Sequence, residues 1–440
     1  GILEEELVRA VGKTGAEGAM GIIADPHTGD LLALASVPVF DANAPGDSPA
    51  AHRRNRTITD PFEPGSTFKP ITLAAVLEEG RTRAATQVFC EQGAYVLATG
   101  DTLRDTSPHG WLTTSEVLAL SSNIGMIKLA GELSRADYYD YLRRFGFGTR
   151  TGVSLPAESS GLLRHATEWS DRSLATIAIG QEVSVTALQL VQAFGVIANG
   201  GTLMSPRVVT EVRQGSERRV TETQKVRRVI SENTATRLQR MLAGVVTDGT
   251  GKAAAISGVE VAGKTGTAQR ALRDGAGYAE DEYVSSFVGF VPATSARYLC
   301  LIVIENPRIG KYGGVVAAPA FRRTMERVLK LDGSLEHSGE VAQLSPNAGA
   351  VPMPDLRGLV MSQARHHASR RGLGIRFEGA GSLVIAQQPA ARSLQETGAI
   401  VCWLGEADEI DGPDLRQAPR RQSVLLQKLS RERRLAALGR

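Results

Sequence analysis

Glu63-Pro64-Gly65-Ser66-Thr67-Phe68-Lys69-Pro70 is the stretch on which the reading of this chain turns. Pro64 and Gly65 set a tight entry, and the apolar run Ile71-Thr72-Leu73-Ala74-Ala75-Val76-Leu77 predicts a helix from about Ser66 to Gly80. Ser66 and Lys69 then stand at i and i+3 on one face, within reach of each other. A serine hydroxyl is a weak nucleophile until a base takes its proton. An amine serves as that base when desolvation or a second cation lowers its pKa. The helix N-terminus adds backbone N–H groups and the positive end of a dipole where negative charge develops. Taken alone, S-x-x-K reads more simply as an N-cap serine with a surface lysine.

Two further patterns lie downstream. Ser121-Ser122-Asn123 falls at the end of an apolar stretch within a helix predicted over 113–132. A second hydroxyl there can relay a proton between Lys69 and a leaving amine, and the Asn123 amide can hold a substrate amide and Lys69. By itself the triplet is an ordinary turn or cap. Val259-Glu260-Val261-Ala262-Gly263-Lys264-Thr265-Gly266-Thr267-Ala268-Gln269 reads as a strand presenting one cation and two hydroxyls to a substrate carboxylate. Gly266 is expected to let the substrate backbone approach closely. Residues 258–265 also satisfy the phosphate-loop pattern G-x-x-x-x-G-K-[ST]. Such a loop follows a strand and opens a helix. Here the interior is itself strand-like and Gly266 stands where a helix would continue, so a nucleotide site is set aside.

The rest of the chain supplies the frame. Leu3, Leu7, Val8 and Val11 recur at helical spacing, and residues 20–24 and 31–35 flank a Pro/Gly/Asp turn as a hairpin at a buried sheet. Residues 36–64 are irregular. Residues 184–198 read as a helix ending at Asn199-Gly200-Gly201, 283–291 and 297–305 as strands stopped by Pro292 and Pro307, and 319–331 as a last helix. Helix and hairpin first, helices in the middle, then strands and a helix imply an α+β domain over 1–331. Its antiparallel sheet is built from both ends of the segment. Residues 332–350 look like a linker. Residues 351–405 form a small αβ unit, with a helix near 361–371 and short strands through Val401-Cys402-Trp403-Leu404. Residues 406–440 are a basic tail, expected to be solvated, with a short helix over 424–438.

Composition narrows the classes. Of 440 residues 42% are hydrophobic and 22% charged, with a net charge of +3, which excludes a wholly disordered chain. Glycine has no three-residue period and no stretch approaches 18 apolar residues, so collagen and a membrane-embedded chain are excluded. Cys90, Cys300 and Cys402 are far apart and odd in number, which excludes a disulfide scaffold; Cys300, in an apolar strand, is expected buried and reduced. Residues 411–440 carry eight Lys/Arg and three Asp/Glu, so +5 belongs to the tail and −2 to residues 1–410. Nothing in that balance points globally to nucleic acid. The seven histidines show no metal-binding spacing, and His366-His367 reads as a solvated pair. The opening Gly1-Ile2-Leu3-Glu4-Glu5-Glu6-Leu7, without initiator Met or signal peptide, predicts an N-terminally trimmed fragment.

Ser66-x-x-Lys69, Ser121-x-Asn123 and Lys264-Thr265-Gly266, in that order, form the signature of penicillin-binding proteins and class A β-lactamases. The surroundings agree: Phe62-Glu63-Pro64-Gly65-Ser66, His109-Gly110-Trp111-Leu112-Thr113, Ile179-Gly180-Gln181, Gly249-Thr250-Gly251-Lys252 and Gly313-Gly314. Over roughly residues 1–330 the chain resembles the transpeptidase domain of class B penicillin-binding proteins, of the septal or sporulation type. The resemblance implies the α+β penicillin-binding-protein/β-lactamase-like fold and a peptidoglycan DD-transpeptidase that requires neither cofactor nor metal. It implies that Ser66 attacks the D-Ala–D-Ala carbonyl of a stem peptide with Lys69 as base, and that Ser121 passes the proton to departing D-Ala. Lys264, Thr265 and Thr267 would bind the terminal carboxylate along Gly266, with Asn123 orienting the peptide and the N–H groups of Ser66 and Thr267 forming the oxyanion hole. β-Lactams would acylate the same serine. The implied partners are peptidoglycan stem peptides, a glycan polymerase and other division or elongation proteins, with no nucleic acid. The implied location is the outer side of the bacterial cell membrane, held by an N-terminal anchor absent from this chain.

Residues 351–405 resemble a single PASTA repeat, on Met353-Pro354-Asp355-Leu356-Arg357-Gly358, Ala364 and Gln387-Gln388-Pro389. One departure stands out in the catalytic part: Glu182 occupies a position where the family commonly has Gly. That loop is expected at the cleft's edge, which leaves substrate contacts there open. Two other readings remain. A class D-like serine β-lactamase shares Ser66-Thr67-Phe68-Lys69, but Ser121-Ser122-Asn123 is not its second motif. A catalytically silent wall-binding or scaffold protein is the third reading, and intact Ser66, Lys69 and Lys264 argue against it.

Overall fold

Where the apolar residues fall decides the layers of the first part of the chain. A computed structural model describes residues 1–271 and 277–335, and further on residues 351–352, 355–357, 359–361, 364–365, 368, 374–379, 383–388, 394–395 and 399–405. The chain divides into two units, Gly1–Glu340 and Val341–Arg440.

The first unit opens with helix α1 (Ile2–Thr14) and strands β1 (Gly18–Ala24) and β2 (Leu31–Val37). It continues through helices α2 (Lys69–Glu78), α3 (Thr114–Ala119), α4 (Asn123–Ala130), α5 (Arg135–Arg144), α6 (Ala187–Ala198) and α7 (Glu232–Thr247). Strands β3 (Ala262–Ala271), β4 (Tyr278–Val291) and β5 (Tyr298–Glu305) and helix α8 (Ala318–Leu331) close it. The strands form one antiparallel sheet in the order β3-β4-β5-β1-β2, so both ends of the segment build it, as the element order implies.

β5 lies at the centre and is apolar on both faces because both are covered. Leu299, Leu301 and Val303 enter the core shared with α2, α4, α6 and α7, whereas Cys300, Ile302 and Ile304 enter the core shared with α1 and α8. Cys300 is buried and its thiol is free; Cys90 and Cys402 are free and buried too. On the second face Glu6 of α1 ties α8 down through Arg323 (2.8 Å) and Arg327 (3.0 Å).

Several details differ from the sequence reading, among them that β4, expected from residue 283, begins at Tyr278. The helix expected over 113–132 is two helices, α3 and α4, because Ser121 has φ 61° and breaks the ladder. The helix expected over 184–198 starts only at Ala187, where Thr186 and Gln189 form a capping box. The strand expected from Val259 begins at Ala262 and runs straight through Lys264, Thr265 and Gly266, with no helix behind Lys264, which disposes of the phosphate-loop pattern.

In the second unit strands β6 (Gly374–Gly379), β7 (Leu383–Gln388) and β8 (Ala399–Gly405) form a sheet in the order β6-β8-β7, with β6 and β8 parallel. Leu356, Ala364, Ala368, Val384, Ile400, Cys402 and Leu404 make its small core. Two of the stretches behind the repeat resemblance meet here: Leu356 N donates to Gln387 Oε1 at 2.7 Å. Most of the linker 332–350, His366-His367, parts of the helix near 361–371 and the tail 406–440 lie outside the described residues.

Candidate active site

The edge strand β3 and the helical layer face each other across a cleft of about 730 Å³. Ser66, Ser121, Asn123, Thr265, Gly266 and Thr267 line it, so the three motifs, far apart in sequence, come together as expected. An edge strand suits this place because half of its backbone donors and acceptors have no partner strand and are free for an extended ligand.

Ser66 sits in a 3-10 turn, Gly65–Phe68, that runs directly into α2. Gly65 takes φ 54°, and a Cβ there would stand 3.1 Å from the Thr267 carbonyl, so the turn closes against β3 only with glycine. Ser66 is half-buried at the cleft wall, and Lys69, one turn on, is fully buried. Among the described residues no hydrogen bond joins the Ser66 hydroxyl to Lys69. The amine instead donates to Ser121 O (2.5 Å), Asn123 Oδ1 (2.7 Å) and Ser121 Oγ (3.2 Å).

Lys264 reaches the same hydroxyl from the opposite side, Nζ to Ser121 Oγ 2.9 Å. It also donates to Thr265 O at 3.2 Å. Two fully buried amines therefore bracket one serine oxygen, and among the described residues neither has a carboxylate within ion-pairing distance. Burial drives the Lys69 pKa down to about 7, opposed by the negative charge of Asp105. Lys264 is lowered well below the usual lysine range, first by burial and then by Lys69 itself. Lys69 is therefore in part uncharged near neutral pH, and an uncharged amine is a base.

Lys264 does not line the cleft; it stands behind the wall, where Thr265 and Thr267 present their hydroxyls. Thr265 Oγ1 is 2.7 Å from Thr250 Oγ1, and Thr267 Oγ1 accepts from Gly313 N at 3.0 Å. A carboxylate in the cleft would meet the Thr265 and Thr267 hydroxyls first, with the Lys264 amine behind them. Gly266 has a different reason from the one its sequence suggests. A Cβ at 266 would stand 2.4 Å from Ser286 Oγ, 2.8 Å from Thr67 Cγ2 and 3.0 Å from Pro64 O. The glycine lets the nucleophile turn pack against β3; the atoms it spares are the protein's own.

Glu182 also points away from what its loop suggested. Ile179 and Gln181 line the cleft, but the Glu182 carboxylate accepts from Arg164 Nη2, Ser173 Oγ and Thr176 Oγ1, each at 2.7 Å. The positive φ of 57° at Glu182 is held by that cluster.

Residues the motifs did not single out complete the wall: Asp105 and His109 on the helical side, Thr250 and Lys252 before β3, and Lys311 and Tyr312 after β5. Most of them occur in or beside stretches that match the resemblance, but as context. Asp105 carries no local signal, since its partners are 17 to 19 residues away.

The penicillin binding protein transpeptidase domain family matches residues 19–326, and the chain belongs to that family. Within it the chain is similar to Stage V sporulation protein D of Bacillus subtilis, 33% identical over 431 residues that make up 94% of this chain and 65% of the relative. It is also 35% identical over 331 residues to the probable peptidoglycan D,D-transpeptidase PbpC of Pseudomonas aeruginosa, covering 75% of this chain and 56% of that one. The chain thus spans about half to two thirds of the length of such relatives. Among solved structures, penicillin binding protein 3 of Mycobacterium tuberculosis complexed with aztreonam superposes with TM-score 0.69 at 33% identity, over 75% of this chain and 76% of that one. The apo transpeptidase domain of penicillin-binding protein 3 from Burkholderia pseudomallei gives TM-score 0.66 at 30% identity, over 79% and 95%.

Proposed function

We propose that the chain is a serine D,D-transpeptidase that cross-links peptidoglycan stem peptides through an acyl-enzyme on Ser66 and is acylated there by β-lactams. One observation carries the reading. Beside an accessible serine in a cleft, two buried lysines share the hydroxyl of a second serine, so that one amine is a base near pH 7.

In this reading Lys69 takes the Ser66 proton as Oγ attacks the carbonyl of the penultimate D-Ala. The N–H groups of Ser66 and Thr267 hold the developing oxyanion, each donor of this kind being worth ~10²–10³-fold in rate. Ser121 Oγ, between both amines, hands the proton to the departing D-Ala nitrogen. Thr265 and Thr267 hold the terminal carboxylate, with the Lys264 amine behind them, and Asn123 aligns the peptide while holding Lys69. The amine of a neighbouring stem peptide then takes the acyl group, and Ser66 is regenerated.

The names of the relatives support the substrate and the septal or sporulation assignment. The same reading includes a glycan polymerase and division proteins as partners, an extracytoplasmic site of action at the cell membrane, and a PASTA repeat at 351–405.

Mass spectrometry of the tryptic peptides after penicillin treatment tests the proposal. A stable adduct on Ser66, lost in Ser66→Ala, is expected. An adduct elsewhere would overturn the nucleophile, and rapid catalytic hydrolysis of the drug would replace the reading with a β-lactamase.

A further inference from the structure

Asp105 follows the short strand Thr102–Arg104 and lines the cleft. One of its carboxylate oxygens accepts from the Ser122 hydroxyl at 2.7 Å; the other accepts from the backbone N–H groups of Asn123 and Ile124, the latter at 3.1 Å. Ser122 Oγ in turn accepts from Gly125 N at 3.0 Å, so the first turn of α4 is closed by these two side chains. The preceding carbonyl, Arg104 O, accepts from Asn123 Nδ2 at 2.8 Å, which turns Asn123 Oδ1 toward Lys69 Nζ.

We propose that Asp105 is a positioning residue of the acylation step, fixing Ser121-Ser122-Asn123 against the cleft and placing the negative charge that faces Lys69. The proposal rests on the serine-transpeptidase reading above and deepens it. The charged and titratable groups around this point come from several segments, and His109 lines the same cleft. Lys69 stands on α2 and Lys264 on β3. Lys128, on α4, is paired with Glu91 at 2.5 Å, and the Cys90 thiol, raised by burial, sits behind Ser122. Asp105 is the carboxylate whose field opposes the desolvation of Lys69. A lysine with no such neighbour would lose its proton more easily but would be a feebler base, and general-base catalysis is best when the pKa lies near the working pH.

The test is the second-order rate of Ser66 acylation by a fluorescent penicillin between pH 5 and 9, for the unaltered chain and for Asp105→Asn, Asp105→Ser and Asp105→Glu. Removing the negative charge favours neutral Lys69, so the acidic limb should move to lower pH in the Asn and Ser variants. At pH 6 the rate relative to its own plateau should rise about threefold, which corresponds to half a pH unit. The plateau itself should fall about tenfold as base strength and alignment are lost. Asp105→Glu should return the limb to its original position. A lower plateau with an unmoved limb in both neutral variants would reduce Asp105 to a helix cap, and unchanged profiles would remove its role altogether; either result overturns the proposal. Asp105→Ser keeps a capping hydroxyl, so the question stays answerable if the Asn variant does not fold. Failure of the unaltered chain to label at Ser66 would overturn the transpeptidase reading itself, whatever the variants do.

Discussion

Lys69 and Lys264 are the costliest side chains in the catalytic unit, since both are fully buried and lack an ion-pair partner among the described residues. Their desolvation lowers both amines from the ordinary lysine range and makes Lys69 a base near neutral pH. With the Lys69 pKa lowered to about 7, the group is protonated below that pH and neutral above it. Penicillin acylation should therefore be flat above about pH 8 and fall close to tenfold per unit well below 7, which a stopped-flow pH profile checks. Lys69→Met, similar in length but unable to take a proton, should slow acylation by ~10²–10⁴-fold, with the thermal midpoint held or raised because a buried amine is gone. Gly266→Ala places a methyl group against Ser286, Thr67 and Pro64 and should destabilise the protein by about 1–3 kcal/mol, measured by denaturant unfolding. At this scale Ser66, Lys69, Asn123 and Lys264 are legible in the sequence because short spacing and residue type announce them. The reason for Gly266 and the orientation of Glu182 are not, because both depend on which distant atoms lie opposite.

Among elements, the break between α3 and α4 matters most to the site. The apolar pattern of 113–132 continues across it, so periodicity reads one helix. Yet Ser121 in a left-handed conformation turns its carbonyl and hydroxyl toward Lys69, which no residue inside a continuous helix could do. Helix α6 supports the sheet face behind the site and is started by its Thr186–Gln189 capping box, Thr186 Oγ1 accepting from Gln189 N at 3.1 Å. Thr186→Ala should cost about 0.5–2 kcal/mol in thermal or denaturant unfolding and leave the pH profile of acylation unmoved. The strands were legible because β5 and the last residues of β4, 287–291, are apolar or Gly on both faces and stopped by proline. Their neighbours were not, since pairing order is a long-range property that alternation in one strand does not carry.

For the whole molecule, the division into Gly1–Glu340 and Val341–Arg440 leaves the first unit with two hydrophobic cores of its own. A chain stopped at residue 340 should unfold in one cooperative transition and acylate within about twofold of the full-length rate, checked by calorimetry and penicillin labelling on both. The sequence by itself determined the candidate serine Ser66, an amine one turn on, the order of the three motifs, the antiparallel sheet built from both ends of the segment and the separate character of the C-terminal part. These follow from residue type and from spacings of two to four residues, which backbone geometry converts directly into shared faces. Only the tertiary structure decided that Lys264 meets Ser121 from 143 residues away, that Asp105 faces Lys69 and that both amines are fully buried. Burial and long-range charge set the pKa, and neither is a property of a short stretch of chain: each exists only once distant segments have packed and excluded water.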